Sequence, residues 1–383
     1  MKNSKRKAIL QPITFLAVLL LIFGAVGSKM GMVNMLSTLM NTAYELLLDT
    51  VFYIMAVAVV AGALSALLSE FGVVSLINKI LSPLMKPLFG LPGAASLGIL
   101  TTYLSDNPAI LALAHDKGFR KYFKKYQLPA LTNLGTAFGM GVIVTTFMMG
   151  LQSPKGESFL AAALIGNLGA VVGSIVSSRL MLLRTAKVYG KTEPCDTEGV
   201  EESEQTQQKE KQSLGMRVID CLMSGGKSGV TLGMDVIPGV LIICSLVLMF
   251  TNGPSAAGTY TGAAYEGIGL LPWIGDKLSF ILRPLFGFSS AQGIAVPITA
   301  LGSAGAAIGL IPELIKTGAA GAGDIAVFTA MCMCWSGYLS THVAMMDNLK
   351  CSKLTGHAIL SHTIGGLCAG VAANWLYKLF LLL

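Results

Sequence analysis

Charged residues are scarce in this chain. Asp, Glu, Lys and Arg make up 12% of its 383 residues, about half of the roughly 25% found in an ordinary soluble domain. Hydrophobic residues account for 53%. This balance argues against a soluble globular protein and favours a protein with several membrane-spanning helices.

Motifs of metal sites and hydrolytic enzymes are also missing. The 7 cysteines include no CxxC pair, and the sequence has no HExxH, Ser-His-Asp or paired-carboxylate pattern. The GGKS stretch at 225–228 has Cys221 where a phosphate-binding loop requires its first glycine. We therefore expect no enzyme, no bound metal and no cofactor.

The formal net charge of +7 does not indicate a nucleic-acid partner. Lys and Arg are scattered among the short connections between apolar runs rather than gathered in one soluble segment. In a membrane protein, basic residues accumulate in cytoplasmic loops and set the orientation of the chain. We interpret these residues as topology signals.

Long apolar runs, by contrast, are abundant, and seven approach or exceed the roughly 18 to 20 residues that cross a bilayer. They lie at 8–27, 46–69, 128–151, 159–183, 230–250, 325–346 and 357–377. The first follows a basic start and is either an uncleaved helix or a signal peptide. Its length favours the helix, with a cytoplasmic N-terminus.

Two decapeptides, LSPLMKPLFG at 81–90 and LSFILRPLFG at 278–287, share six of ten residues. The same offset, or one residue less, continues to align identical residues beyond them, for example Thr132 with Thr329. This long, nearly gapless register indicates a duplication. A polar, highly charged stretch at 191–213 separates the copies and is typical of a disordered linker.

The charges around a further apolar segment, 91–114, predict that it does not cross the membrane. Lys79 and Lys86 precede it, and a dense basic group follows at 117–125. A crossing would place one of these groups outside, against the positive-inside rule. A re-entrant hairpin that enters from the inside and turns near 105–108 removes the conflict. The corresponding segment at 290–310 becomes a second hairpin, which turns near 302–305 and enters from the outside.

The expected fold class is all-α: a polytopic membrane protein with about seven spans plus two re-entrant hairpins. Each copy contains an odd number of crossings, so the second copy is inserted upside down, giving the inverted repeat of many secondary transporters. The predicted domains are an N-terminal span and connector (1–49), a first repeat (50–183), a disordered cytoplasmic linker (184–214) and a second repeat (215–383).

The hairpin tips are the best candidates for a binding site, because non-helical backbone at membrane depth is tolerated only inside protein or beside a wet cavity. Asp106 is the main candidate, since an intramembrane carboxylate is costly unless it pairs with an ion, a proton or a partner. It could instead cap the helix arm that begins at Pro108, and both roles can hold. The other polar tip residues are Thr101, Thr102, Ser105 and Asn107 in the first hairpin, and Thr299 and Ser303 in the second.

Polar residues in the span after each hairpin exceed what close helix packing needs. They are Asn133 in the first copy and Trp335, Ser336 and His342 in the second. His342 is equally open to interpretation as a ligand or as an interfacial histidine.

Three other ionisable residues are less persuasive. Asp49 and Asp235 lie near the start of the first span of each copy, where an interfacial position or pairing with a helix terminus is expected. His362 is interpreted as an isolated, structural histidine.

The order of span, hairpin and polar interrupted span, present twice with Pro-Leu-Phe-Gly ahead of each hairpin, resembles the Gate or nucleoside-recognition family. Members of this family are similar to the core of concentrative nucleoside transporters, to the membrane part of ferrous iron permeases and to sporulation-related membrane proteins of Gram-positive bacteria. The resemblance covers nearly all of 50–383 apart from the linker.

In the nucleoside carriers, hairpin tips and adjoining unwound helices hold substrate and sodium. Carried over by position, the resemblance implies a substrate or ion site. Its residues would be Thr102, Ser105, Asp106, Asn107, Asn133, Thr136, Thr299, Ser303, Trp335 and Ser336.

The resemblance further implies a secondary transporter of the bacterial plasma membrane. Its partners would be the lipid bilayer and a small polar solute, nucleoside-like or other, with Na⁺ or H⁺ as the coupling ion. A homo-oligomer is left open. The alternative is a non-transporting Gate-family component of sporulation or envelope assembly.

Overall fold

The computed structural model describes residues 2–105, 107–115, 117–195 and 213–383. Helices dominate these residues. The N-terminal half (2–195) contains α1 (Lys2–Met30), α2 (Met32–Glu45), α3 (Phe52–Glu70), α4 (Val73–Leu84), α5 (Ala95–Leu104), α6 (Pro108–Ala114), α7 (Lys117–Arg120), α8 (Ala130–Phe138), α9 (Gly141–Gly150) and α10 (Leu160–Tyr189). The C-terminal half (213–383) contains α11 (Leu214–Pro238), α12 (Ser245–Thr251), α13 (Leu270–Lys277), α14 (Ser279–Phe286), α15 (Ala295–Ala300), α16 (Ala304–Gly309), α17 (Ile311–Lys316), α18 (Ala322–Cys334), α19 (Tyr338–Asn348) and α20 (Thr355–Phe380).

Six helical segments among the described residues are long and apolar enough to cross a membrane. They are Leu10–Met30, Met32–Glu70, Ala130–Gly150, Leu160–Tyr189, Leu214–Thr251 and Ser352–Phe380. The remaining predicted span, 325–346, is divided between the shorter helices α18 and α19. The chain is a multi-pass membrane protein of the predicted all-α class.

Several boundaries differ from the sequence-based ones. A π-helical stretch at Leu46–Val51 joins α2 to α3, so residues 32–45, predicted as a connector, extend this span. Their apolar pattern is interrupted by polar residues such as Asn34, which donates to a loop carbonyl oxygen 3.0 Å away. Helix α10 continues beyond the predicted start of the linker at residue 184. The linker residues 196–212 lie outside the described ranges.

Helices α3 and α11 pack at close range through glycine. A Cβ atom placed on Gly62 would lie 2.5 Å from the carbonyl oxygen of Gly225, and one on Gly225 would lie 2.3 Å from that of Gly62. Only glycine permits such an approach between two helix backbones. At one end of these helices, the Arg217 guanidinium binds the Glu70 carboxylate at 2.9 Å. We refer to the two helices as the α3–α11 pair.

The last long helices of the two halves, α10 and α20, form a second close pair. A Cβ on Gly173 would lie 2.5 Å from the carbonyl oxygen of Gly365, and one on Gly365 would lie 2.6 Å from that of Gly173. The reciprocal contact joins the two halves through backbone rather than through long side chains. We refer to these helices as the α10–α20 pair.

The two Pro-Leu-Phe-Gly blocks share a local structure. The first is a π-helical turn, Met85–Phe89, that continues α4, and the second closes α14. Each helix then stops at a glycine with positive φ, +75° at Gly90 and +69° at Gly287. This left-handed conformation is the common helix terminator that glycine adopts without steric cost.

Matching side chains from the α10–α20 pair hold these blocks in place. Arg179 Nε on α10 donates to the carbonyl oxygen of Leu88 at 2.8 Å. Asn374 Nδ2 on α20 donates to that of Leu285 at 2.9 Å. Capping of these carbonyls gives Arg179 a structural role within α10.

Both segments that were predicted to be re-entrant turn near the expected residues. Helix α5 ends at Leu104 and α6 begins at Pro108, and α15 ends at Ala300 before α16 begins at Ala304. The 10 residues of α5 rise only about 15 Å, half of the roughly 30 Å hydrocarbon layer. We call α5–α6 hairpin 1 and α15–α17 hairpin 2.

The two hairpins start and finish at opposite ends of α10. Just after the C-terminal end of α10, Glu193 binds Lys125 Nζ at 2.6 Å. Nearby, Gln127 Nε2 donates to the carbonyl oxygen of Gly90 at 3.0 Å. Both ends of hairpin 1 therefore lie there. A surface cavity brings Ser289 and the loop 315–323, at the two ends of hairpin 2, beside the loop 153–158 that precedes α10.

Candidate functional site

The tip of hairpin 1 is bound between the two interrupted spans. Asn107 Nδ2 donates to the carbonyl oxygen of Ser336 at 3.2 Å. The Ser336 hydroxyl lies 3.1 Å from Asn107 Oδ1 and 3.0 Å from the carbonyl oxygen of Thr136. All three residues are buried. We call this meeting point of hairpin 1, α8 and the break after α18 the junction.

Glycine at each break makes room for the junction. A Cβ on Gly139, between α8 and α9, would lie 1.7 Å from Asn107 Oδ1. Gly337, between α18 and α19, has a φ of +64°, and a Cβ there would lie 2.5 Å from Asn107 Nδ2. The breaks thus present free backbone groups to a polar side chain in the middle of the protein, a feature of ion and solute sites in transporters.

A polar network continues from the junction through two histidines. Thr136 Oγ1 lies 3.4 Å from His342 Nε2, and the rings of His342 and His362 have centroids 4.7 Å apart. The Ser177 hydroxyl lies 2.8 Å from His362 Nδ1 and accepts a hydrogen bond from Asn133 Nδ2 at 2.8 Å. All five residues have 0% exposure. His362 is therefore not the isolated histidine that the sequence suggests.

The hydrogen-bond partners assign a proton position to each imidazole. His362 Nε2 faces the carbonyl oxygen of Cys334, so this nitrogen carries the proton and Nδ1 accepts from Ser177. His342 Nδ1 faces the carbonyl oxygen of Tyr338 at 2.6 Å and carries a proton there. A buried hydrogen-bonded network of this kind fixes one arrangement of the helices around it.

A cavity of about 490 Å³ lies between the tip of hairpin 1 and the α3–α11 pair. Its polar lining includes Ser65 and Ser69 from α3, Thr101 and Ser105 from hairpin 1, and Ser228 and Asp235 from α11. Glycine and alanine supply much of the rest of the wall. The volume lies within the roughly 300 to 1,000 Å³ range of small-molecule pockets.

Ser65 contributes a buried side chain to the cavity wall. Its side chain is 5% exposed, and its hydroxyl has no hydrogen-bond partner among the described residues. Buried polar groups normally have a partner, and an unpaired one costs free energy. Six other buried polar atoms of the described residues, including the hydroxyls of Ser174 and Ser178, share this property, so it does not by itself mark a ligand site.

Residues 51–177 match the family model described as Gate, nucleoside recognition. This segment is similar to that family. Two solved structures of the concentrative nucleoside transporter CNTnw share the fold of nearly the whole chain. One, in an inward-facing substrate-bound state, has 16% identity and a TM-score of 0.54 and covers 97% of this chain and 86% of that chain. The other, a doubly substituted variant in an outward-facing state, has 16% identity and a TM-score of 0.55 with 98% and 86% coverage. No curated protein shows significant sequence similarity to the chain.

The matched segment supplies only part of the site. It contains hairpin 1, the break at Gly139 and the α3 wall with Ser65. Asp235 on α11 and Ser336 at the second break lie beyond the matched range. Both halves of the chain are therefore needed to build the junction and the cavity.

The structure brings together five of the predicted site residues and adds a sixth through a backbone contact. Asn107, Thr136 and Ser336 form the junction, and Asn133 lies in the network behind it. Ser105 lines the cavity. Trp335 Nε1 donates to the carbonyl oxygen of His362 at 3.2 Å, which links it to the same network.

Three predicted residues have other surroundings, and one cannot be placed. Thr102 Oγ1 bonds to its own helix at Gly98, 2.7 Å away. At hairpin 2, Thr299 Oγ1 bonds to Ala295, and the Ser303 hydroxyl caps α16 by accepting from the Ala306 amide at 3.2 Å. Asp106 lies outside the described residues, so its role at the tip stays a prediction.

The tip of hairpin 2 packs directly against the π-helical stretch that joins α11 to α12. A Cβ on Gly239 would lie 2.9 Å from Ser303 Oγ. Cys244 Sγ donates to the carbonyl oxygen of Ala306 at 2.8 Å. The α11 side is therefore closed against hairpin 2, whereas it leaves a cavity beside hairpin 1.

Among the described residues, no group of three or more His, Cys, Asp or Glu side chains is arranged to hold a metal ion. The two buried histidines use both ring nitrogens in hydrogen bonds to the protein. The polar side-chain atoms that line the cavity are the oxygens of serine, threonine and Asp235, which can bind a polar solute.

Proposed function

We propose that the chain is a secondary transporter that carries a small polar solute through the cavity between hairpin 1 and the α3–α11 pair. The observation that carries this proposal is the cavity itself, with the Asp235 carboxylate and six serine and threonine side chains in its lining. An ordinary packing defect in a membrane protein would be apolar, because an unpaired hydroxyl there is unfavourable.

The asymmetry between the two hairpins supports alternating access. The cavity extends along α3 to Ser69, next to the end of that helix at Glu70, while hairpin 2 is packed against Gly239. Hairpin 1 is thus separated from the α3–α11 pair by the cavity, whereas hairpin 2 is in contact with the end of α11. Exchange of these two states would open the solute site first to one side of the membrane and then to the other.

We further propose that the open side is cytoplasmic. The end of α10 at which hairpin 1 starts and finishes carries the dense basic group at 117–125. Basic residues next to membrane spans accumulate on the cytoplasmic side. The chain would then be an inverted repeat with its N-terminus inside, and the structure would represent an inward-open state.

Purified protein in proteoliposomes tests the transport proposal. We expect uptake or efflux of at least one solute from a panel of nucleosides, amines, amino acids and polyols, dependent on a Na⁺ or H⁺ gradient. Empty liposomes are the control. If no solute in the panel moves under either gradient, the proposal is wrong and a non-transporting membrane component is the better interpretation.

A further inference from the structure

The cavity contains a carboxylate near the middle of a long membrane segment. Asp235 lies on α11, well inside the 38-residue apolar segment Leu214–Thr251, and lines the cavity. The sequence alone suggested an interfacial role for it. A carboxylate at membrane depth is costly and normally faces a functional cavity or a partner.

Four of the hydroxyl groups that line the cavity with Asp235 already donate a hydrogen bond within their own helix. Thr101 Oγ1 donates to its own helix at 2.9 Å, and Ser105 Oγ does so at 2.6 Å. Ser228 and Thr231 on α11 each donate to the carbonyl oxygen four residues earlier, at 3.2 Å. Such hydroxyls keep their lone pairs, so they can only accept further hydrogen bonds without breaking one.

The described lining also lacks the groups that recognise a nucleobase. It includes no aromatic side chain on which a base could stack, and no Asn, Gln, Lys, Arg or His side chain that could donate to a base edge. Stacking and hydrogen bonds to base edges are the usual means by which proteins bind nucleobases. Its electrostatics are those of an acceptor-rich surface with one negative charge.

We propose, on the basis of the transport function proposed above, that the cavity binds a small organic cation whose ammonium group pairs with Asp235. The ammonium and any hydroxyl groups of the solute donate to the lone pairs of Thr101, Ser105, Ser228 and Thr231. The glycine and alanine wall sets the size limit. This pairing accounts for both the carboxylate and the acceptor-rich hydroxyls around it.

Equilibrium binding to the full chain in detergent tests this proposal without requiring transport. Isothermal titration calorimetry would use three pairs of probes that differ mainly in charge: ethanolamine and ethylene glycol, choline and 3,3-dimethylbutan-1-ol, and butylamine and butanol. Uridine is the nucleoside probe. We expect at least one cation to bind, with its neutral counterpart and uridine binding at least about tenfold more weakly.

Substitutions then identify the carboxylate. Asp235→Asn should weaken the cation about tenfold to a hundredfold, because a charge-assisted hydrogen bond is lost, and Asp235→Glu should retain binding. Asp49→Asn is the matched control, since Asp49 also lies within a long membrane segment but does not line the cavity. Unchanged thermal unfolding of Asp235→Asn would show that the variant is folded.

Three results would overturn the assignment: no cation binds, a neutral counterpart or uridine binds equally well, or folded Asp235→Asn binds like the wild type. The transport proposal is tested independently of this binding assignment. Cation binding without any gradient-driven flux would leave the site assignment intact and remove only the transport function.

Discussion

Ser65→Phe is expected to reduce gradient-driven uptake to the level of empty liposomes. Ser65 is buried in the α3 wall, and its side chain borders the space of about 490 Å³ that a solute would occupy. A phenyl ring at this position would project into that space and present an apolar surface to Asp235. Solute binding would be lost because the ring would occupy the solute's position beside the carboxylate.

The adjacent residue provides a matched control. Leu64 on the same helix is 52% exposed and does not line the cavity, so Leu64→Phe should transport like the wild type. Ser228→Phe, on the opposite wall, should repeat the block. Wild-type uptake by either folded cavity variant, with proteoliposome content matched by immunoblot, would exclude this cavity as the solute route.

Gly365→Val is expected to cause the largest loss of stability. A Cβ on Gly365 would lie 2.6 Å from the carbonyl oxygen of Gly173 and 2.6 Å from Ser177 Cβ. Relief of these contacts requires α20 to move away from α10. Because the α10–α20 pair also carries Ser177 and His362, the movement would separate these two hydrogen-bond partners. We expect a loss of at least about 3 kcal/mol, at the upper end of typical overpacking effects.

Thermal unfolding in detergent, followed by tryptophan fluorescence, measures this loss. Gly356→Val serves as the control, because Gly356 lies on the same helix and a Cβ there meets nothing within 4 Å. We expect a lower unfolding temperature and a lower yield only for Gly365→Val. Equal stability of the two variants would contradict the close packing of the α10–α20 pair.

Local chemistry made much of the fold predictable from sequence. The turn of hairpin 1 follows from Asn107 and Pro108, and that of hairpin 2 from the glycines at 302 and 305. The Pro-Leu-Phe-Gly blocks predict where the helices before the hairpins stop, because Gly90 and Gly287 permit positive φ. Polar groups in apolar runs predicted the junction residues Asn107 and Ser336, and the resemblance to the Gate family added Thr136.

The cavity could not be predicted because it depends on pairings between distant segments. In the sequence, Ser65 resembles an ordinary small packing residue and Asp235 an interfacial acid. Only the placement of α11 beside α3 shows that both residues line a cavity. Likewise, His362 appears isolated because its partners, His342 and Ser177, come from other helices. The glycines at 225, 229 and 233 do repeat every four residues, the pattern of close helix packing, but the pattern does not identify α3 as the partner helix.

The central claim is that hairpin 1 moves against the α3–α11 pair during transport, and a reversible cross-link across the cavity tests it most directly. Ser105→Cys on hairpin 1 and Ser228→Cys on α11 would be combined in a protein whose 7 native cysteines have been replaced. A bifunctional methanethiosulfonate would join them in proteoliposomes. We predict that uptake stops when the link forms and returns when a reductant releases it, with no effect in either single-cysteine protein. Undiminished uptake by the fully linked protein would contradict the account.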